Sequence, residues 1–185
     1  MLWIFLAVAV VYAFAEGTFA NWAVIYLRDG KGLDAGVAGL ALSVFWGAMV
    51  VGRLSVSALL VRLPAGPVWL ALPLLMIAAF QLLPYAETAA LGIGLFAFAG
   101  LACSAFFPLT IALVSQRFPR HVALVSALMI AALMVGVGAG SFALGALREA
   151  FSFEQLYRLS AVYPALALVL ALMTRSRRPA AAVAE

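Results

Sequence analysis

Apolar runs of 20 or more residues alternate with short charged knots along this chain. The first run, WIFLAVAVVYAFAEGTFANWAVIYL, ends at RDGKGLD, and later runs are separated by RLPAG, RFPRH and REAFSFE, with a near-absent link at Glu87. A helix that crosses a bilayer needs about 20 apolar residues. The pattern supplies six, over roughly 1–27, 35–61, 67–86, 88–116, 122–147 and 155–174. This predicts an all-α membrane protein, a six-helix transmembrane bundle over 1–178 followed by a disordered tail over 179–185. Short links make sequential helices antiparallel neighbours. Pro73, Pro108 and Pro164 fall inside predicted helices, where each removes a backbone hydrogen bond and can kink the helix.

Composition agrees with that reading. The chain is 68% hydrophobic and 10% charged, with a mean hydropathy of +1.18. This is far from the balance of a soluble domain, and six spans leave no room for one. The net charge of +4 does not point to nucleic acid, because the basic residues sit at span ends. One side of the membrane collects Arg53, Arg62, Arg117, Arg120, Arg175, Arg177 and Arg178 against Glu185 alone. The other collects Arg28, Lys31, Arg148 and Arg158 against Asp29, Asp34, Glu87, Glu149 and Glu154. The positive-inside rule then puts both termini in the cytoplasm, and in a bacterial cell the membrane would be the inner one.

One acid breaks the pattern. Glu16 has fifteen uncharged residues before it and eleven after, so it is the only acid far from a membrane edge. A carboxylate at that depth costs several kcal/mol or more unless it is protonated, paired or hydrated, which makes it a functional-site candidate. A Glu that is neutral in one access state and ionised in the other would couple proton and solute movement. Tyr12 lies one helical turn earlier on the same face and could hydrogen-bond it; packing as a permanently protonated group is the alternative. Asn21 is about 140° around the helix from Glu16, so both would face one cavity only if the helix broke near Gly17. Asn21 is either a solute hydrogen-bonder or interhelical glue, and Trp22 either lines the path or belongs to the interfacial aromatic belt.

Chemistry of other classes is poorly supported. A membrane serine protease needs a base within the bilayer, and the single His121 falls in a loop. One His and one Cys, Cys103, cannot form a usual metal site, so neither a metal nor a catalytic residue is expected. Cys103 reads as a small apolar helix residue. The fifth span carries Gly136 and Gly140 as a GxxxG pair, which predicts a tightly packed helix face. The second span has a small face of its own (Gly36, Gly39, Ser43, Gly47 and Gly52) beside Phe45 and Trp46.

Local sequence sharpens this. YAFAEGTFANWAVIYL followed by LSVFWGAMVVGRLSVSALLVRLP resembles the seventh and eighth helices of major facilitator superfamily transporters, closest in look to the fucose–proton symporter branch. GLACSAFFPLTIALVSQRFP resembles the tenth helix and GVGAGSFALGAL the eleventh. The resemblance runs to about Arg178. Gly52-Arg53 and Arg62 look like the second-half copy of the superfamily's cytoplasmic loop motif, although Val61 stands where Asp often precedes the Arg. It implies half of a major-facilitator fold, built as two inverted three-helix repeats, that needs a second six-helix half. That half would be a separate chain, a missing N-terminal half or a second copy.

The resemblance implies proton-coupled transport of a small polar, sugar-like solute, with the proton gradient as energy source and no cofactor. A non-transporting membrane scaffold is the alternative. Glu16 and Tyr12 would carry the coupling. Asn21, Trp22, Phe45, Trp46, Phe106 and Phe107 are the candidates to line the path; Phe45 and Trp46 would otherwise face lipid or core, and Phe106 and Phe107 would otherwise be core packing. Arg53, Arg62 and Arg117 would form a cytoplasmic gate. The partners implied are the lipid bilayer, the solute and the second half, with no nucleic acid.

Overall fold

The structure is a computed structural model and describes residues 1–176. The expected tail over 179–185 lies outside the described residues, as do Arg177, Arg178 and the side chain of Arg175. Eight α-helices follow one another: α1 (Leu2–Ile25), α2 (Ala35–Leu59), α3 (Ala65–Leu82), α4 (Ala89–Cys103), α5 (Phe106–Arg117), α6 (Val122–Leu147), α7 (Phe153–Ser160) and α8 (Val162–Ser176). They make six stretches long and apolar enough to cross a membrane among the described residues: Leu2–Gly30, Ala35–Leu59, Ala65–Tyr85, Ala89–Arg117, Pro119–Leu147 and Phe153–Thr174. The fourth span is α4 plus α5, and the sixth is α7 plus α8.

Starts and stops follow local chemistry. The Asp34 side chain accepts the Gly36 amide at 2.7 Å and opens α2, and Thr88 does the same for α4 through the Leu91 amide at 3.3 Å. Ser152 and Gln155 form a reciprocal capping box at the head of α7, satisfying two amides that would otherwise lack partners. The loop after α1 turns at Gly32, whose φ of +68° favours a residue without a Cβ.

The three intrahelical prolines behave differently. Pro73 stays inside an unbroken α3. Pro108 follows the break between α4 and α5, and Pro164 follows the break between α7 and α8 at Ala161.

Helix pairing follows a simple rule. Span one packs most extensively on span five, and span two on span four; span one also meets span six, as span four meets span three. Exchanging spans one to three with spans four to six maps this set of contacts onto itself. That is the architecture of two inverted three-helix repeats.

Lipid tails are as apolar as the helices, so close packing rather than water exclusion holds such pairs together. Gly136 faces α1 so tightly that a Cβ there would lie 2.6 Å from the Ala13 Cβ and the Val10 carbonyl oxygen. A Cβ at Gly140 would lie 2.9 Å from the Phe14 Cα. The GxxxG face therefore packs within the chain. The small face of span two does not: Gly39 and Gly47 meet nothing within 4 Å, and Gly52 alone of that set is buried.

Aromatic pairs brace the second half of span one. Phe19 stacks on Phe80 with ring centroids 4.0 Å apart, and Tyr26 stacks on Tyr157 at 4.1 Å. Their hydroxyls cross helices, Tyr26 donating to the Leu83 carbonyl at 2.9 Å and Tyr157 to that of Thr18 at 3.2 Å. Lys31, in the first loop, bonds both Glu154 and the Pro84 carbonyl, tying that loop to the head of α7 and to the turn after α3.

Candidate functional site

A helical carbonyl normally accepts the amide four residues later. Pro108 has no amide hydrogen, so the carbonyl of Ser104 has no helical donor. The helix breaks there, at Ser104 and Ala105, between α4 and α5. Backbone that leaves the helical pattern inside a membrane must find partners within the protein, and two side chains from other helices supply them. Arg53 of α2 donates its Nε–H to the Ser104 carbonyl at 3.0 Å. Tyr12 of α1 donates its hydroxyl to the Cys103 carbonyl at 2.9 Å.

Gly52 makes the first of these contacts possible. A Cβ at Gly52 would lie 2.6 Å from the Ser104 Cβ, so only glycine lets α2 come near enough for its neighbour Arg53 to reach the break. The other end of the guanidinium rests on the Met49 sulfur at 3.3 Å. The Tyr12 ring is held by Phe106 and Phe107, with centroids 5.2 Å and 6.2 Å away.

Glu16 completes the cluster. It is half-buried, lies one helical turn after Tyr12 on the same face of α1, and is near enough to feel the positive charge of Arg53. Glu16 stands at the centre of the span Leu2–Gly30 and Cys103 at the centre of the span Ala89–Arg117, so acid, phenol, guanidinium and broken helix meet at mid-membrane depth. A carboxyl group there, beside a fixed cation and a phenol, can take up and release a proton.

The other expected site residues distribute themselves around this centre. α1 runs unbroken through Gly17, so Asn21 faces away from Glu16, and its Nδ2 donates to the Ser141 Oγ at 2.7 Å. Trp22 packs toward Gly145 and, at 6.4 Å between ring centroids, toward Phe153. Phe45 is buried between Phe19 and Trp46, whereas Trp46 is about half exposed. Arg62 is exposed in the link after α2. Arg117 bonds the Thr174 carbonyl at 2.6 Å and lies 5.8 Å from the Phe5 ring, joining spans four, six and one. Arg53 does not join Arg62 or Arg117; it points at the helix break.

Reasoning from the sequence missed the acceptors at the break. The signal was present: Pro108 leaves the carbonyl of Ser104 open, and a donor at that depth was needed. Among the described residues, no three His, Cys, Asp or Glu come together as metal ligands.

The sequence matches the family model described as Major Facilitator Superfamily over residues 4–185. No curated protein matches it.

Proposed function

The chain belongs to the major facilitator superfamily, and from that premise we propose that it drives a small polar solute across the membrane by proton symport, with Glu16 as the proton carrier. Family membership gives a multi-pass integral membrane protein that serves solute transport. The observation that carries the proton reading is the half-buried Glu16 at the centre of its span, one helical turn from Tyr12, whose hydroxyl bonds the broken helix that Arg53 also bonds. An acid held at that depth beside a fixed cation can alternate between a neutral and an ionised form as access changes sides. The proton gradient is the energy source, and the resemblance to fucose–proton symporters supports a sugar-like solute. The clustering of Arg residues at one set of span ends supports cytoplasmic termini, and an inner-membrane location in a bacterial cell.

The working unit is the chain together with a second six-helix half. Spans two and five are the least covered by the rest of the chain, with Trp46, Val50, Leu54, Met134, Val135 and Phe142 all exposed. A second half seated there would close the Glu16 site away from lipid and leave a path between the halves.

Reconstitution into liposomes tests this. With a panel of sugars and an imposed proton gradient, the assembled protein accumulates a member of the panel, and Glu16→Gln abolishes gradient-driven accumulation. Accumulation by Glu16→Gln equal to that of the unmodified protein would sink the proton reading. Flux from no assembly would favour a membrane scaffold.

A further inference from the structure

The break in span four is held by two donors from two different helices, both of which bond backbone rather than side chain. Nothing in helix geometry requires this. A proline kink can be satisfied by its own helix or by water, yet here α1 and α2 each send a side chain to it. The arginine is the more telling of the two. An intramembrane guanidinium is costly, and the hydrogen-bond partners of this one are a carbonyl and a thioether. Its planar fork suits a fixed direction of bonding better than a flexible ammonium would.

We propose that residues 103–105 form a joint between α4 and α5, and that Arg53 and Tyr12 are the positioning residues that lock it. Arg53 replaces the amide that Pro108 lacks, and Tyr12 holds the carbonyl beside it. Release of either donor frees α5 to swing relative to α4. α5 carries Phe106 and Phe107, which grip Tyr12, and Arg117, which ties the far end of the span to Thr174. The joint therefore connects the Glu16 site to the Arg117 end of the bundle. What the joint is for rests on the transport reading; that it exists and is locked does not.

The chain carries its own reporter. Cys103 is the only cysteine in the sequence, it is fully buried, and its carbonyl is the acceptor of the Tyr12 bond. Its rate of labelling by a maleimide, measured on the full chain in lipid nanodiscs without solute or gradient, reads the opening of the joint. Arg53→Met is expected to speed labelling roughly tenfold, the consequence of losing a charged hydrogen bond that opposes local opening. Tyr12→Phe is expected to speed it severalfold. Pro108→Ala returns an amide to the Ser104 carbonyl, so in that background Arg53→Met is expected to change the rate by less than about twofold.

Labelling of Arg53→Met at the unmodified rate would overturn the proposal. So would an acceleration of equal size in the Pro108→Ala background, because Arg53 would then be acting on something other than the open carbonyl. If Arg53→Met does not give a folded, monodisperse protein, Tyr12→Phe alone and combined with Pro108→Ala decides in the same way. A protein that shows the locked joint but no gradient-driven uptake would remove the transport reading and leave the joint standing.

Discussion

Gly52 and Ser104 lie so close that a Cβ on Gly52 would sit 2.6 Å from the Ser104 Cβ. The approach joins span two to span four at the depth where span four breaks, and it sets the reach of Arg53. Adding a methyl group must push the helices apart or tilt them. Gly52→Ala is therefore expected to destabilise the chain by about 1–3 kcal/mol and to loosen the Arg53 bond. The check is thermal unfolding in detergent; a melting temperature equal to that of the unmodified protein would show that the helices yield freely.

The two faces of α6 make a sharper contrast. Gly136 is buried against Val10 and Ala13, whereas Gly138 meets nothing within 4 Å. Gly136→Leu is expected to cost about 3 kcal/mol or more by overpacking the α1 interface. Gly138→Leu is expected to stay within about 0.5 kcal/mol, as an uncrowded substitution does. Equal stability of the two variants would contradict the assigned packing face.

These glycines show what could be read in advance. Six apolar runs of bilayer length dictated six helical spans, because a membrane leaves the backbone few other ways to satisfy its own hydrogen bonds. The intramembrane Glu16 and the packed Gly136/Gly140 face were legible for similar reasons: each is a residue type that lipid penalises or favours strongly. What a single helix cannot disclose is its neighbour. Asn21 reads from the sequence as either a solute hydrogen-bonder or interhelical glue, and only the fold places Ser141 beside it. Arg53 reads as a gate candidate by its spacing from Arg62, and only the fold shows that it bonds a carbonyl on another span, opened by a proline 55 residues later. Of three similar prolines, only two accompany breaks, a difference that depends on the surrounding helices rather than on local sequence.

Asn21 and Ser141 can be separated from the transport site by energy. Their hydrogen bond, 2.7 Å long, joins α1 to α6 on the side away from Glu16. A double-mutant cycle with Asn21→Ala and Ser141→Ala is expected to give a coupling of about 0.5–1.5 kcal/mol in unfolding. Solute KM should remain within about twofold of normal in either variant. A large rise in KM with no coupling would put Asn21 in the solute path.

At the other end of the molecule, Lys31 bonds Glu154 and the Pro84 carbonyl at once. Its side chain is 7% exposed, against 51% for Glu154. The half-exposed Glu154 contributes little once solvent screening is counted, so Glu154→Gln is expected to cost no more than about 0.5 kcal/mol. Lys31→Met removes the donor from the carbonyl as well as the charge pair, and about 1–2 kcal/mol is expected. Thermal unfolding of the two variants orders them; a larger loss from Glu154→Gln would mean that the ion pair, not the carbonyl bond, holds the loops.

Glu16 separates coupling from movement. Gln fills nearly the same volume and keeps a polar amide at the same place, but it cannot carry a proton across. If the carboxyl group serves only to couple, Glu16→Gln should keep exchange of labelled for unlabelled solute, which needs no net proton movement, within about threefold of normal. Gradient-driven accumulation should fall by tenfold or more. Loss of both activities together would make Glu16 a solute ligand or a structural group instead. Glu16→Asp supplies the intermediate case. It keeps the proton but draws it back by one methylene from Tyr12 and Arg53, so accumulation should persist at a reduced rate. Accumulation by Glu16→Asp no better than by Glu16→Gln would show that position, rather than ionisation, is what the site requires.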